Sequence, residues 1–297
     1  MNETNKIASI HLGKKSIGSE KYDSSLLVAI PRKENREQYD INEDNLPFLG
    51  CDIWHAYEFS ALTKNNLPFS RLLKLKYDCK SEFLVESKSL KLYLNSFNMT
   101  NFADNISDSL EICKKIIEKD LSDVLKTKVE ANFIENNSKK GEIFENFENI
   151  LDFIDEKNIK IEKFKEAPEV LEVETLGIKE YYLKFDSLRS NCRVTHQPDF
   201  GDVFIYYKSK KHIKESSLVE YLSSFRSEFH FHEECCEMIF KRFHDILDLE
   251  DELFICALYT RRGGIDINPI RYSKNCTIKD FKDLVDIKKY SGNGLKQ

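Results

Sequence analysis

Glycine and proline are scarce in this chain of 297 residues, with ten and six respectively, and only Gly292 and Gly294 stand at G-x-G spacing, with no helix-forming run after them. That excludes a Rossmann-type dinucleotide site, which needs glycines at fixed spacing between a strand and a helix so that the backbone can approach a pyrophosphate. Any dinucleotide must bind in another way. The eight cysteines contain no C-x-x-C pair and are too sparse for a disulfide scaffold, which disfavours a zinc ribbon, a thioredoxin-type motif and a stapled secreted domain. No apolar run approaches the roughly 18–20 residues that span a bilayer, and the opening stretch Met1 to Lys6 lacks the apolar core of a signal peptide. The expectation is a cytoplasmic protein with no membrane partner. An excess of positive charge is missing too: 45 Lys and Arg against 51 Asp and Glu leave a net charge of −6. Direct nucleic-acid binding through a basic surface is therefore not expected, because counterion release needs clustered positive charge.

What is present is globular: 41% hydrophobic and 32% charged residues, in a length that suits one large domain or two modest ones. Residues 1–45 are polar and read as an arm. Leu73, Leu75 and Tyr77 alternate with Lys74 and Lys76 as in a half-buried strand, and Phe83 and Val85 begin a second run. Ile106, Leu110, Cys113, Ile117, Leu121 and Val124 mark a long amphipathic helix. Lys128 to Ile134 reads as a strand, and the Glu-, Lys- and Asn-rich stretch 135–166 as a connector with short elements around Phe147 to Ile154.

The second half follows the same order, with strands near Val170–Val173, Tyr181–Phe185 and Val203–Tyr207. A helical stripe then runs through Phe231, Cys235, Ile239, Phe243 and Ile246 ahead of a strand at Leu253–Tyr259. Ser89 to Phe97 also aligns with Ser217 to Phe225 at a constant offset of 128 residues, with six of nine positions identical. Such self-similarity points to a duplicated unit. Two copies of strand, strand, helix, helix, strand, strand predict an α+β protein of two modules, residues 1–150 and 151–297, with antiparallel sheets side by side and helices on one face.

Four segments carry chemistry. Ser190 to Gly201 crowds turn-formers around one thiol, Cys192, between two strands, and Asp199 can return to it across a turn as proton donor. The same residues also fit an exposed loop cysteine with a turn-forming Asp. Phe229 to Cys236 opens the second long helix, where a carboxylate such as Glu233 can accept paired N–H groups from a flat heterocycle, or simply complement the helix dipole. His230, His232, Cys235 and Cys236 raise the question of a metal, but adjacent cysteines do not easily face one ion. Glu86 to Lys91 joins an acid, hydroxyls and lysines at a strand–helix junction suited to phosphate or to plain capping, and Arg261-Arg262-Gly263-Gly264 suits a phosphate or a basic turn.

Together these segments resemble the NADPH-dependent 7-cyano-7-deazaguanine reductases, the QueF nitrile reductases of queuosine biosynthesis, in their long two-module form. Glu86 to Phe97 is similar to the family signature, and Ser190-Asn-Cys192, Gln197-Pro-Asp199-x-Gly201, His232-Glu233 and Tyr259 to Pro269 to its catalytic and binding segments. Leu12-Gly-Lys14 and Leu46 to Trp54 match as well. The resemblance implies tandem tunnelling-fold modules, a homodimer, and no metal. It implies Cys192 as nucleophile and Asp199 as proton donor. Val85, Glu86, Ser87, His232 and Glu233 would lie on the deazaguanine, and Ser87, Lys88, Arg261, Arg262 and Gly263 on NADPH. Two positions depart from the family pattern: Arg193 follows the nucleophile, either lowering the thiol pKa or facing solvent, and Phe200 stands where Trp is commoner. A metal-dependent pterin or purine cyclohydrolase of the same fold, with Cys192, His232 and Cys235 as ligands, and a purine-binding module without catalysis are the alternatives.

Overall fold

The computed structural model describes residues 21–134, 143–155 and 157–290. The Leu12-Gly-Lys14 match, the Gly292/Gly294 pair and residues 135–142 and 156 of the expected connector lie outside these. Two hairpins organise the chain. β2 (Leu49–Leu62) pairs antiparallel with β3 (Pro68–Asp78), and β7 (Val173–Asn191) with β8 (Pro198–Ile213). Each hairpin is followed by a nine-residue helix and then a longer one: α2 (Ser87–Asn95) and α3 (Ile106–Leu125) after the first, α4 (Glu215–Ser223) and α5 (His232–Ile246) after the second. The two copies of the repeated nonapeptide thus overlap α2 and α4. β5 (Val129–Ile134) returns to β3, while β9 (Glu252–Tyr259) and β10 (Ile265–Tyr272) return beside β8.

The fold class is α+β, as the periodicities predict, but the two sheets are not separate. β10 pairs with β2 over eight residues, from Ile265 opposite Ala56 to Tyr272 opposite Leu49. One eight-stranded sheet results, in the order β5-β3-β2-β10-β9-β8-β7-β6, the last being the two-residue strand Glu148–Asn149, which runs parallel to β7. The expected strand at Val170–Val173 is a 3₁₀ turn over Pro168–Val170 followed by the start of β7, and Tyr181–Phe185 lies inside that one long strand.

Alternation along the strands separates two faces. Trp54, Ala56 and, after a bulge between Ala56 and Phe59, Phe59 and Ala61 pack under α2 and α3, while Ile53 and Tyr57 point the other way. Val203, Ile205 and Tyr207 of β8 likewise face α4 and α5, whereas Phe204 and Tyr206 join the opposite face. That second face is covered by the C-terminal segment through Leu284 of the four-residue helix α6 (Lys282–Val285) and Tyr290. Lys74, on β3, fastens the segment by donating to the carbonyls of Leu284, Asp286 and Lys289 at 2.6–2.8 Å. No helix among the described residues is long and apolar enough to cross a membrane.

The polar N-terminal stretch is not merely an arm. β1 (Ala29–Pro31) pairs with β4 (Phe83–Val85), and α1 (Lys33–Gln38) follows. Arg32 and Arg36 from this stretch are 3% and 0% exposed. Arg36 forks onto Glu237 of α5 at 2.7 and 2.8 Å, Arg32 pairs with Asp52 of β2, and Arg271 of β10 joins Asp52 and Glu237 at 2.8 Å each. A local polarity count misread these residues, because their partners lie far away in sequence.

Burial pushes the Glu237 carboxyl up, but Arg36 and Arg271 outweigh it and hold it down to about 2. Folding therefore favours the ionised form. Stability from this group is present above the ordinary value of 4.5 and lost as pH falls from there toward about 2. Glu237→Gln should lower the unfolding free energy by about 3–5 kcal/mol at pH 7, since it leaves buried guanidiniums uncompensated. It should also flatten the acid limb of stability against pH. Urea titrations of the two proteins across pH 3–7 measure both effects.

Candidate active site

The site gathers at the ends of four elements. β7 stops at Asn191 and β8 begins at Pro198, leaving Cys192 to open the turn between them. The Cys192 N–H donates to the Gln197 carbonyl at 2.8 Å, and its own carbonyl accepts from the His196 N–H at 2.9 Å. His196 sits in the left-handed region at φ 57°. This tight loop holds a half-buried thiol at the mouth of a cavity.

Asp199 stands opposite Ser190 in the β7–β8 register and is 5% exposed. It accepts from Arg262, and the His232 ring nitrogen Nε2 lies 3.4 Å away. His232 is itself stacked face to face on Tyr259, with ring centroids 3.8 Å apart at 7°. Arg262 also donates to the Gln197 side chain at 2.8 Å, tying the acid to the thiol turn.

Glu233, next along α5, is 3% exposed, and its Oε1 meets no hydrogen-bond donor among the described residues. Burial, with the Asp52 charge behind it, pushes its carboxyl up to about 8 against the opposing pull of Arg32. A buried carboxyl without a partner is costly to the fold and is what a ligand with N–H donors would satisfy.

Val85, Glu86 and Ser87 form the opposite wall, positioned by the β1–β4 pairing of Ala29 with Val85. Of the two readings of this junction the structure shows the cap: the Glu86 carboxylate itself takes the Lys88 and Ser89 N–H groups, at 2.9 and 2.6 Å, at the start of α2. Lys88 and Gly263 line a second cleft that adjoins the first, with Glu58 and Gly264. Gly263 and Gly264 have φ of 53° and 74°, and a Cβ on Gly264 would collide with the Glu58 carboxylate, so this turn needs glycine twice. Arg261 is placed apart from both cavities, its guanidinium 4.2 Å from the Tyr57 ring centre.

Cys192, Asp199, Val85, Glu86, Ser87, His232, Glu233 and Arg262 therefore share one cavity, although they come from both halves of the chain. Trp54, Thr260 and Lys91 line it too. Each lies in a segment that the sequence marks, Lys91 as one of the lysines of Glu86 to Lys91, but none had been given a role of its own at the site. Arg193 does not face solvent: its side chain is 8% exposed and pairs with Glu234 at 3.2 Å, fastening the thiol turn to the start of α5. Of the three supposed metal ligands, Cys192 and His232 line the cavity, whereas Cys235 is packed in the core, where burial pushes its thiol up to about 12. Among the described residues no three His, Cys, Asp or Glu side chains are grouped to hold a metal ion.

Two family models match the sequence. One, described as nitrile reductase, 7-cyano-7-deazaguanine-reductase N-term, covers residues 19–133, and the other, described as QueF-like protein, covers residues 198–277. The NADPH-dependent 7-cyano-7-deazaguanine reductase of Colwellia psychrerythraea is 38% identical over 272 residues, spanning 90% of this chain and 92% of the relative. The reductase of the same name from Rickettsia felis is 41% identical over 276 residues, or 92% of this chain and 97% of that one.

The raised Glu233 carboxyl has a measurable consequence. The folded protein keeps this proton to about 8 while the unfolded chain releases it near 4.5, so stability should fall as pH rises through that window and level off above it. Glu233→Gln carries no titrating proton there and should abolish this part of the slope. Thermal or urea unfolding of both proteins between pH 5 and 9 checks it, and parallel curves would remove the shift.

Proposed function

The chain belongs to the 7-cyano-7-deazaguanine nitrile reductase family, and from that premise we propose that its cavity binds the deazaguanine on Glu233 and activates the nitrile on Cys192. The reaction is the NADPH-dependent reduction of 7-cyano-7-deazaguanine to 7-aminomethyl-7-deazaguanine, a step of queuosine biosynthesis. The observation that carries the site assignment is the Glu233 carboxyl, whose Oε1 has no partner among the described residues and which is buried in the same cavity as a loop thiol and an orientated acid.

A nitrile carbon is electrophilic but accepts hydride poorly until activated. Addition of the Cys192 sulfur forms a C–S bond and a thioimidate, while Asp199 relays the thiol proton to the nitrile nitrogen. Arg262 and His232 hold the Asp199 carboxyl on the side of the thiol turn. Collapse of the later tetrahedral adduct breaks the C–S bond, returns the Cys192 thiolate and leaves an imine, which the apolar walls at Ile30, Val194 and Phe231 shield from water. Throughout, Glu233 anchors the heterocycle, and a purine lacking the paired N–H donors leaves that carboxyl unsatisfied and is rejected.

The cleft beside this cavity suits NADPH. Lys88 supplies positive charge, and the Gly263–Gly264 turn lines the cleft, packed close against Lys91 and Glu58. Lys88, Ser87, Arg262 and Gly263 would hold the cofactor, with Arg262 and Lys88 favouring a 2′-phosphate. When bound, NADPH supplies two hydrides in succession.

Each half of the chain is read as a tunnelling-fold module, supported by the hairpin, short helix and longer helix that recur with the 128-residue sequence offset. The protein is read as a cytoplasmic homodimer. Exposed Val173, Leu176 and Ile178 on β7 favour self-association.

Mixing enzyme with 7-cyano-7-deazaguanine alone should add the full mass of the nitrile to the protein, because addition expels nothing. Intact-mass spectrometry should find no adduct in Cys192→Ala, and an adduct that persists there would overturn the assignment. Asp199→Asn should slow adduct formation by about 10²–10⁴-fold. Glu233→Gln should weaken nitrile binding by about 2–4 kcal/mol, read by titration calorimetry.

A further inference from the structure

Arg193 follows Cys192 in the turn between β7 and β8. Its two neighbours, Cys192 and Val194, line the cavity, whereas the Arg193 side chain is 8% exposed and is engaged with three other parts of the chain. Nη1 donates to Glu234 Oε1 on α5 at 3.2 Å, Nη2 to Asn35 Oδ1 on α1 at 3.4 Å, and Nε to the Phe229 carbonyl at 3.4 Å. The guanidinium also lies over the Phe231 ring, 5.8 Å from its centre. The two oxygens of Glu234 are divided between tasks. Oε2 accepts from the Phe231 N–H at 2.9 Å, at the start of α5, and lies 3.5 Å from the His230 ring nitrogen Nδ1, which leaves Oε1 to Arg193.

One carboxylate thus joins the thiol turn to the first turn of α5, and the residue before it on α5 is Glu233. β7 already ends alongside residues 228–230, because the Asn191 N–H donates to the Glu228 carbonyl at 2.9 Å and the Asn191 carbonyl accepts from the His230 N–H at 3.1 Å. Beyond Asn191, Arg193 carries the link on to α5 itself. Val194 and Phe231, on either side of this contact, pack together against Ile30 and Leu84.

The substrate makes that link matter. A cyano group on a flat deazaguanine cannot move relative to the ring N–H groups, so once Glu233 holds the ring, α5 sets where the nitrile carbon stands. The position of the sulfur is set by the turn. Rotation of the ligand cannot make up a mismatch, and the separation of the turn from α5 decides whether sulfur and carbon meet at attack distance. An effect of the guanidinium charge on the thiol is the weaker reading, since Glu234 neutralises that charge at close range.

We propose that Arg193 is a positioning residue, which through Glu234 holds the Cys192 turn where its sulfur reaches the nitrile carbon of a purine anchored on Glu233. The proposal rests on the reductase reading above.

The test separates binding from addition. In Cys192→Ala, where no C–S bond can form, titration calorimetry reads the affinity for 7-cyano-7-deazaguanine alone, and adding Arg193→Met should leave that affinity close to the Cys192→Ala value. With Cys192 present, Arg193→Met should form the mass adduct more slowly than the wild type, by about tenfold to a hundredfold. Arg193→Lys keeps a cation for Glu234 but not the fork that also meets Asn35 and Phe229, and should fall between the two. Arg193→Met combined with Glu234→Gln should be no slower than Arg193→Met alone, because both changes act through one contact. Iodoacetamide, a small electrophile that Glu233 does not hold, should alkylate Cys192 at the wild-type rate in Arg193→Met, read by peptide mass mapping. An unchanged adduct rate in Arg193→Met would overturn the proposal. Equal slowing with iodoacetamide would also overturn it, assigning Arg193 to thiol reactivity, and so would lost nitrile affinity in the Cys192→Ala background, assigning it to the purine pocket or the fold. Failure of the wild type to form any adduct would instead sink the parent reading.

Discussion

Arg32, Arg36 and Arg271 lie at 3% exposure or less against Asp52 and Glu237, with Glu43 closing the outer side of Arg36 at 3.1 Å. Removing such charges from water costs several kcal/mol each, so the cluster persists only where every ion meets its partners in good geometry. That requirement joins the N-terminal segment, β2, β10 and α5 at one point. The same elements bring Ile30, Trp54, Ile267 and Glu233 to the cavity. A shift of α5 relative to β10 would break the ion pair between Glu237 and Arg271.

Two acids one turn apart on α5 show what the network does for function. Glu237 meets three guanidiniums and is held down to about 2, while Glu233 is equally buried, its Oε1 meets no donor among the described residues, and it is pushed up to about 8. Burial acts on both in the same direction, so the difference is entirely one of partners. Glu237 is a structural charge. Glu233 keeps a buried oxygen without a donor among the described residues, at a cost to stability. Lys91 and Arg262 line the same cavity as the thiol and the acid, and Lys88 and Glu58 line the adjoining cleft.

Some of this was legible along the chain. The stripe of Ile106 to Val124 lies within α3, and the Phe231 to Ile246 stripe runs along α5 from its N-cap, because helical periodicity survives whatever the helix packs on. Cys192 in its polar turn was visible for the same local reason. β2 and β10 were not visible as strands. Both their faces are covered and both carry buried polar groups, Asp52 and His55 on one, Asp266, Asn268 and Arg271 on the other, so the alternation of apolar and polar residues that marks a half-exposed strand is lost. Arg32 and Arg36 looked like solvated charge for a related reason: their partners Asp52 and Glu237 lie up to 201 residues away.

The sequence by itself determined the α+β class, the duplicated helix, the thiol turn and the family resemblance, since each is written in residues near one another or in motifs of fixed spacing. Tertiary structure alone decided that the halves share one sheet, that Arg193 clamps the turn to α5, that Glu233 Oε1 is left without a donor among the described residues and that Lys91 lines two cavities. Whether a charge is paired, crowded or alone is a sum over neighbours that the fold assembles from distant parts of the chain, and no local pattern contains that sum.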